Sequence, residues 1–416
     1  MRRSLIPAAA VAVALALTLS ACADDEGGAA SSSGDSALRP TGKPLRIGWM
    51  NLEGGAVSVP ETRIGAEAGV RYVNQHLNGV GGRPLELVRC DVDGSPEKSV
   101  DCANKMAEEK VAFVLNGIDP GGDATLPVLS SAGIPLLGHG ADGPAMQADK
   151  NSMFFGAAAP AGLTAPLRFF AGRDVSSYTF LMPDVKWGKS ITEQVLVPTA
   201  RTLGMTQRTL EYDIANPDWS ALAASAAAGR PDLVGGPILT DDQCVGLVGA
   251  LRSSGYQGKI FGGGCSGAVA EALGDASVKG MVTFSDVWRA DSRDQAPAAK
   301  RKEIDTYVSA MEDSGHEDTT FSVFAQSVFA DVVNISRILA KNPARAEGRP
   351  ALDAVKKAGR FDSFMGTTLN CDGKAWPGQS NCGNSVLFYE YQDDGKVKIV
   401  SDGFVGASPS GATPSR

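Results

Sequence analysis

Two stretches of this chain carry the G-x-G-x-x-G spacing that can cradle a pyrophosphate: Gly138-His139-Gly140-Ala141-Asp142-Gly143 and Gly262-Gly263-Gly264-Cys265-Ser266-Gly267. Such a loop grips a dinucleotide at the first βα turn of its unit, where a helix N-terminus meets the phosphates. Both stretches instead follow late strands, and with 49 glycines chance matches are expected. They suit strand-end loops in which glycine lets backbone N–H groups approach a ligand closely. Gly264-Cys265-Ser266-Gly267 has part of a hydrolase turn, but Ala268 stands where G-x-S-x-G needs its last glycine. A serine nucleophile also needs a histidine base, and only His76, His139 and His316 occur, far apart in sequence. With no C-x-x-C and scattered histidines, neither a metal centre nor a redox site is expected. The chain is read as a non-enzyme without a cofactor.

The cysteines point to export. The chain opens with Arg2 and Arg3, continues with an apolar run from Leu5 to Leu19, and reaches Leu19-Ser20-Ala21-Cys22. That run is too short to span a bilayer comfortably and has signal-peptide flanks. The small residues before Cys22 resemble a bacterial lipobox, which implies cleavage before Cys22 and acylation of its thiol. Residues 23–42 are rich in Gly, Ala, Ser and acids and read as a flexible tether; residues 406–416 read as a disordered tail. Six cysteines remain, and their number alone leaves the pairing open. Neighbour order suggests Cys90–Cys102, Cys244–Cys265 and Cys371–Cys382.

The elements that position these loops follow from length and periodicity. The 416 residues fit two domains, and 43% hydrophobic with 21% charged residues is ordinary globular composition. A net charge of −8 without a basic run argues against a nucleic-acid partner. From residue 43, short apolar runs alternate with helical patterns. Leu45–Met50 reads as a strand, and Pro60–Leu77 as a helix with Ile64, Ala68, Val73 and Leu77 on one face. The βαβα order continues to residue 137 and begins again after Phe155. This predicts parallel sheets with helices on both faces, in two halves of similar plan. Ligands of open α/β sheets bind beyond the carboxyl ends of the strands, so two facing halves make a cleft lined by strand-end loops.

Within this pattern, Tyr72-Val73-Asn74 is followed by Gly79-Val80-Gly81-Gly82-Arg83-Pro84-Leu85-Glu86-Leu87, then Asp91-Val92-Asp93 and Ser95-Pro96. The stretch resembles that of type I periplasmic binding proteins, in particular the branched-chain amino acid and amide-binding group of ABC importers. Trp187-Gly188 and Asp218-Trp219-Ser220 resemble that group's aromatic-Gly and D-[FY]-S motifs. The resemblance covers about Leu45 to Val400. It implies two Rossmann-like doubly wound lobes linked by three crossings near residues 160, 286 and 361. Lobe 1 would be 43–160 with 286–361, and lobe 2 would be 162–285 with 362–405. It also implies a monomeric, extracytoplasmic, membrane-anchored protein that closes on a small molecule and delivers it to an ABC permease. A ligand sensor of the same fold is the alternative.

The candidate ligand-binding residues are Asn51 and Glu53 after the first strand; Asp119, Gly121 and Gly122 before the third helix; Gly140, Ala141 and Asp142; Trp187; Thr240 and Asp241; and Gly264. By the resemblance, hydroxyls that hold an amino-acid carboxylate would stand at Gly121 and Asp142, and the acid that pairs its ammonium would stand near Gly264. None of the three is present. Glu53, Asp119, Asp142 and Asp241 are instead expected to face the cleft and to offer acceptors. Trp187 would offer a flat face to a cation or ring. The expectation is a small polar solute, an amino acid, amide or related compound, with a cationic, amide or polyhydroxy ligand preferred to free leucine, isoleucine or valine.

Overall fold

The structure, a computed structural model, describes residues 39–238 and 240–406. The targeting segment, Cys22, nearly all of the tether and the tail from 407 lie outside the described residues. No helix among the described residues is long and apolar enough to cross a membrane.

Five strands begin the first sheet: β1 (Leu45–Leu52), β2 (Leu85–Val92), β3 (Val114–Asn116), β4 (Leu136–Gly138) and β5 (Ser152–Ala157). They run parallel in the order β5-β4-β3-β1-β2. Alternation along β1 explains the two covering layers. Leu45, Ile47 and Trp49 enter one core with the helices Pro60–His76, Ala298–Ser314, Val323–Leu339 and Gly348–Lys357. Met50 and Leu52 enter the other, with the helix Pro96–Glu108. Each large apolar side chain so buried contributes about 1.5–3 kcal/mol.

The second sheet has β6 (Ser177–Pro183), β7 (Thr206–Tyr212), β8 (Leu233–Gly236), β9 (Lys259–Gly262) and β10 (Met281–Ser285), parallel in the order β10-β9-β8-β6-β7. Tyr178, Phe180 and Met182 pack on one face with the helix Ala159–Ala171, while Leu181, Val234 and Ile260 pack on the other with the helix Asp241–Ser253. Trp219 packs there too, its ring 5.5 Å from that of Tyr212. This is a doubly wound α/β fold in two parallel-sheet lobes.

Late in the chain, β11 (Arg360–Asp362) and β12 (Thr368–Asn370) form a small hairpin. Then β13 (Asn381–Gly383) pairs in parallel with β5 and completes the first sheet. Only β14 (Ser385–Tyr391), β15 (Val397–Ile399) and β16 (Val405–Gly406) belong to the second sheet, β14 lying antiparallel to β10. The chain therefore passes between the sheets after β5, after β10 and after β13. The third passage was expected near 361 and falls instead between Gly383 and Ser385. Phe364, Met365, Leu369 and Cys371 are buried in the first lobe's core. Phe154 N–H donates to Ser380 O at 2.8 Å, and Asn381 Nδ2 donates to Gly156 O at 3.2 Å, which holds this stretch against β5.

The three disulfides join the neighbours expected: Cys90 with Cys102, Cys244 with Cys265 and Cys371 with Cys382. The first ties β2 to the following helix. The second ties the helix Asp241–Ser253 to the loop after β9. The third closes the loop before β13.

Candidate ligand-binding cleft

Two cavities open between the lobes at the carboxyl ends of the strands. One, of about 230 Å³, is walled by Leu163, Ile238, Phe284, Val323, Phe324 and Trp187, with His139, Ser285, Asp286 and Ser327 as polar groups. The other, of about 260 Å³, is walled by Leu52, Val57, Ile118, Val185, Ile214 and Trp187, with Asp93 and Asp142. Among the described residues, Trp187 is the one common to both walls. It stands in the first turn of the second lobe's helix Lys186–Ile191, and its indole Nε1 is buried without a partner. The chambers thus meet at one indole. A larger hollow of about 900 Å³, lined by Asp174, Arg230, Asp232 and Lys259, lies at the amino ends of the second sheet, away from where such folds bind ligands.

Of the residues expected at the site, Ala141, Asp142, Trp187 and Gly264 stand on these walls. Gly264 has no room for a side chain: a Cβ there would collide with the Ile238 carbonyl and come within 3.3 Å of the Phe324 ring of the other lobe. The expected ring of free acids is not formed. Glu53 accepts from Arg63 Nε at 2.9 Å and from Asn51 Nδ2 at 2.9 Å. Asn51 is fully buried; its other bonds go to Val59 O and from Ile118 N–H. Asp119 is fully buried and its Oδ1 accepts from Ser99 Oγ at 2.6 Å and Gly121 N–H at 3.1 Å. Asp241 accepts from Ser266 N–H at 2.8 Å and from the Ser266 hydroxyl. Thr240 caps the helix Asp241–Ser253 through Gln243 N–H. Gly121 and Gly122 are packed against Ser99 and Met146, and Gly140 is off both walls. These residues build the loops; the walls are mostly apolar.

Asp142 differs from the other acids. Its Oδ2 accepts from Asn116 Nδ2 at 2.9 Å and Asp119 N–H at 2.8 Å. Burial, opposed by those two bonds and aided by the Asp119 and Asp123 charges, raises its pKa to about 7. Burial likewise raises Asp119 to about 6, against the Ser99 bond.

Residue-type patterns did not reveal His139. Its Nε2 lies 2.9 Å from Asp286 and its Nδ1 3.1 Å from Asp331. Burial works against a charged imidazole, but the Asp286 and Asp331 carboxylates outweigh it and hold the pKa well above 6.5. Burial pushes Asp286 up, yet His139 brings it below 3.8; burial keeps Asp331 above 3.8 despite His139. Asp286 also accepts from Ala157 N–H at 3.3 Å and Ser327 Oγ at 3.3 Å. Ala157 ends β5 and Asp286 follows β10, so this cluster clasps two of the three passages between the lobes.

A family profile described as periplasmic binding protein matches residues 44–395. The chain belongs to the periplasmic binding protein family. No curated protein matches the sequence. Among solved structures, this binding protein is similar to a possible leucine/isoleucine/valine-binding protein from Rhodopirellula baltica, at 16% identity and TM-score 0.71, over 89% of this chain and 98% of that one. A fatty acid ABC transporter substrate-binding protein from Thermomonospora curvata aligns at 15% identity and TM-score 0.72, over 90% of this chain and 96% of that one. An ABC transporter solute-binding protein from Rhodopseudomonas palustris, in complex with 3,4-dihydroxybenzoic acid, aligns at 16% identity and TM-score 0.70, over 89% and 99%. At these identities the likeness is one of fold, the type I periplasmic binding protein architecture.

Proposed function

We propose that this chain is the extracytoplasmic substrate-binding protein of an ABC importer, held at the membrane through an acylated Cys22. The observation that carries the reading is the two-chambered cleft at the carboxyl ends of two parallel sheets, bordered by three passages of chain that can serve as a hinge. Lobe 1 would comprise 43–160 with 286–383 and lobe 2 would comprise 162–285 with 384–405. Ligand contacts in both lobes favour the closed form by differential affinity. Trp187 and Gly264 act from lobe 2, and Ala141 and Asp142 from lobe 1. Proteins of the same fold include a possible leucine/isoleucine/valine-binding protein, a fatty acid ABC transporter substrate-binding protein and a solute-binding protein in complex with 3,4-dihydroxybenzoic acid, which supports a cleft adaptable to apolar bodies.

Two measurements test this. Small-angle scattering of the soluble body, with and without solutes, should show a fall in radius of gyration on ligand addition. Solute uptake should cease in cells carrying Cys22→Ser, with the protein released from the membrane. A body that never closes on any solute, or uptake unaffected by loss of the protein, would reject the assignment and leave a sensing role to be tested.

A further inference from the structure

The cleft's charge pattern bears on what it takes, an inference that rests on the solute-binding reading above. Neither chamber has a lysine or arginine on its walls among the described residues. Among the described residues the one cation on these walls is His139, already matched by Asp286 and Asp331. The second chamber holds two carboxylates, Asp93 and Asp142, against otherwise apolar walls. Asp142 occupies the place where donors converge. Its Oδ2 takes both the Asn116 amide and the Asp119 N–H, so a side-chain carboxylate fills the cradle that an incoming anion would need. Asp142 itself lines the chamber, and both of these bonds fall on its Oδ2. Asp93 is held ionised at the rim by bonds from the Ser95 hydroxyl and N–H. Trp187 stands at the joint of the chambers; an indole ring attracts cations and apolar groups, and its Nε1–H is a donor left for a neutral acceptor on the ligand.

We infer that the cleft selects a hydrophobic amine: an ammonium group paired with Asp142, on an alkyl or aryl body that lies along Trp187 into the apolar chamber. A carboxylic acid of the same shape meets a carboxylate where it needs donors. A free α-amino acid satisfies Asp142 with its ammonium but leaves its own carboxylate without a cation. The ligand is therefore set apart by charge from the fatty acid and the dihydroxybenzoic acid associated with two structural relatives.

The test is calorimetric titration of the full soluble body with matched probes: hexylamine, hexan-1-ol, hexanoate, 2-phenylethylamine, 3-phenylpropionate and leucine. Each amine should bind at least tenfold more tightly than its matched acid, with the alcohol between them and leucine weak. Asp142→Asn keeps a carbonyl acceptor for Asn116 and Asp119, so it should fold, and it should lose at least tenfold in amine affinity while its affinity for hexan-1-ol changes little. Hexanoate or leucine binding as tightly as the amines, amines that do not bind, or full amine affinity in Asp142→Asn, overturns the assignment. Scattering on the same samples separates the two readings. Closure around an acid or leucine rejects the amine and retains the solute-binding protein; no closure with any probe or with extracted native solute rejects both.

Discussion

His139 Nε2 and the Asp286 carboxylate lie 2.9 Å apart, joining the loop after β4 to the chain leaving β10. The pair locks the first lobe to the passage that returns from the second. Because the folded imidazole has a pKa well above its ordinary 6.5, its contribution is full below about pH 6.5 and is lost as pH rises through the folded value. His139→Gln should therefore cost about 2 kcal/mol at pH 6, with a smaller loss at high pH. Thermal unfolding from pH 6 upward measures it; a loss that stays constant to the highest pH at which the parent remains folded would show that the imidazole acts by packing and not by charge.

The same clasp is sensitive to Gly156, next to last in β5. A Cβ there would come within 2.8 Å of Asp286 Oδ2, His139 Nε2 and His139 O. Gly156→Ala should wedge the ion pair apart, destabilise by about 2 kcal/mol and remove most of the pH dependence. Its effect should not add to that of His139→Gln, since both break one contact. Additive losses in the double variant would place the strain elsewhere.

The sheets were legible because apolar runs and helical faces alternate at parallel-sheet spacing, and the disulfides because partners are near neighbours. The third passage was not. Strand β13 is three residues of Asn, Cys and Gly, without apolar alternation, and its place is set by β5 and by a disulfide. The acids at strand ends were visible, but their partners were not: Glu53 meets Arg63, and Asp241 meets Ser266, through folding alone. His139, Asp286 and Asp331 are far apart in sequence and carry no local signal. The apolar cleft was equally hidden, since its wall residues come singly from many loops.

Cys371–Cys382 closes the loop that brings β13 to β5. The chain-entropy model gives about 3 kcal/mol for a loop of this length. Replacing both with Ser should lower the unfolding temperature by several degrees and speed amide exchange in Asn381–Gly383 ahead of the rest of the sheet. Uniform exchange across β5 and β13 would mean that the strand is held by its ladder and not by the bridge.

Asp142 should cost stability when ionised. Its folded pKa of about 7 exceeds the ordinary 3.8, so the cost is absent below 3.8, grows as pH rises, and is complete above about 7. Asp142→Asn should unfold like the parent at pH 3.5 and gain about 2 kcal/mol at pH 8, the full shift being discounted because the group borders a chamber. A stability gain combined with loss of amine capture is the pattern of a residue kept for binding. A loss of stability at pH 8 would show that the Asp119 and Asn116 bonds need the charge.

Gly264 and Phe324 approach each other from opposite lobes, so the chamber between them reports closure. Gly264→Ala forces the loop to shift, because its Cβ meets both the Ile238 carbonyl and the Phe324 ring. The first collision lies within the second lobe and is independent of closure. The second exists only when the lobes are together. Gly264→Ala should therefore weaken ligand capture about tenfold and keep the ligand-bound body closer to the open radius of gyration. Adding Phe324→Ala removes the cross-cleft collision alone and should restore part of that loss. Calorimetry on the four proteins of the cycle gives the coupling, expected to exceed about 0.5 kcal/mol. A coupling near zero would assign the whole effect to Ile238 and show that these two residues do not meet in the bound state.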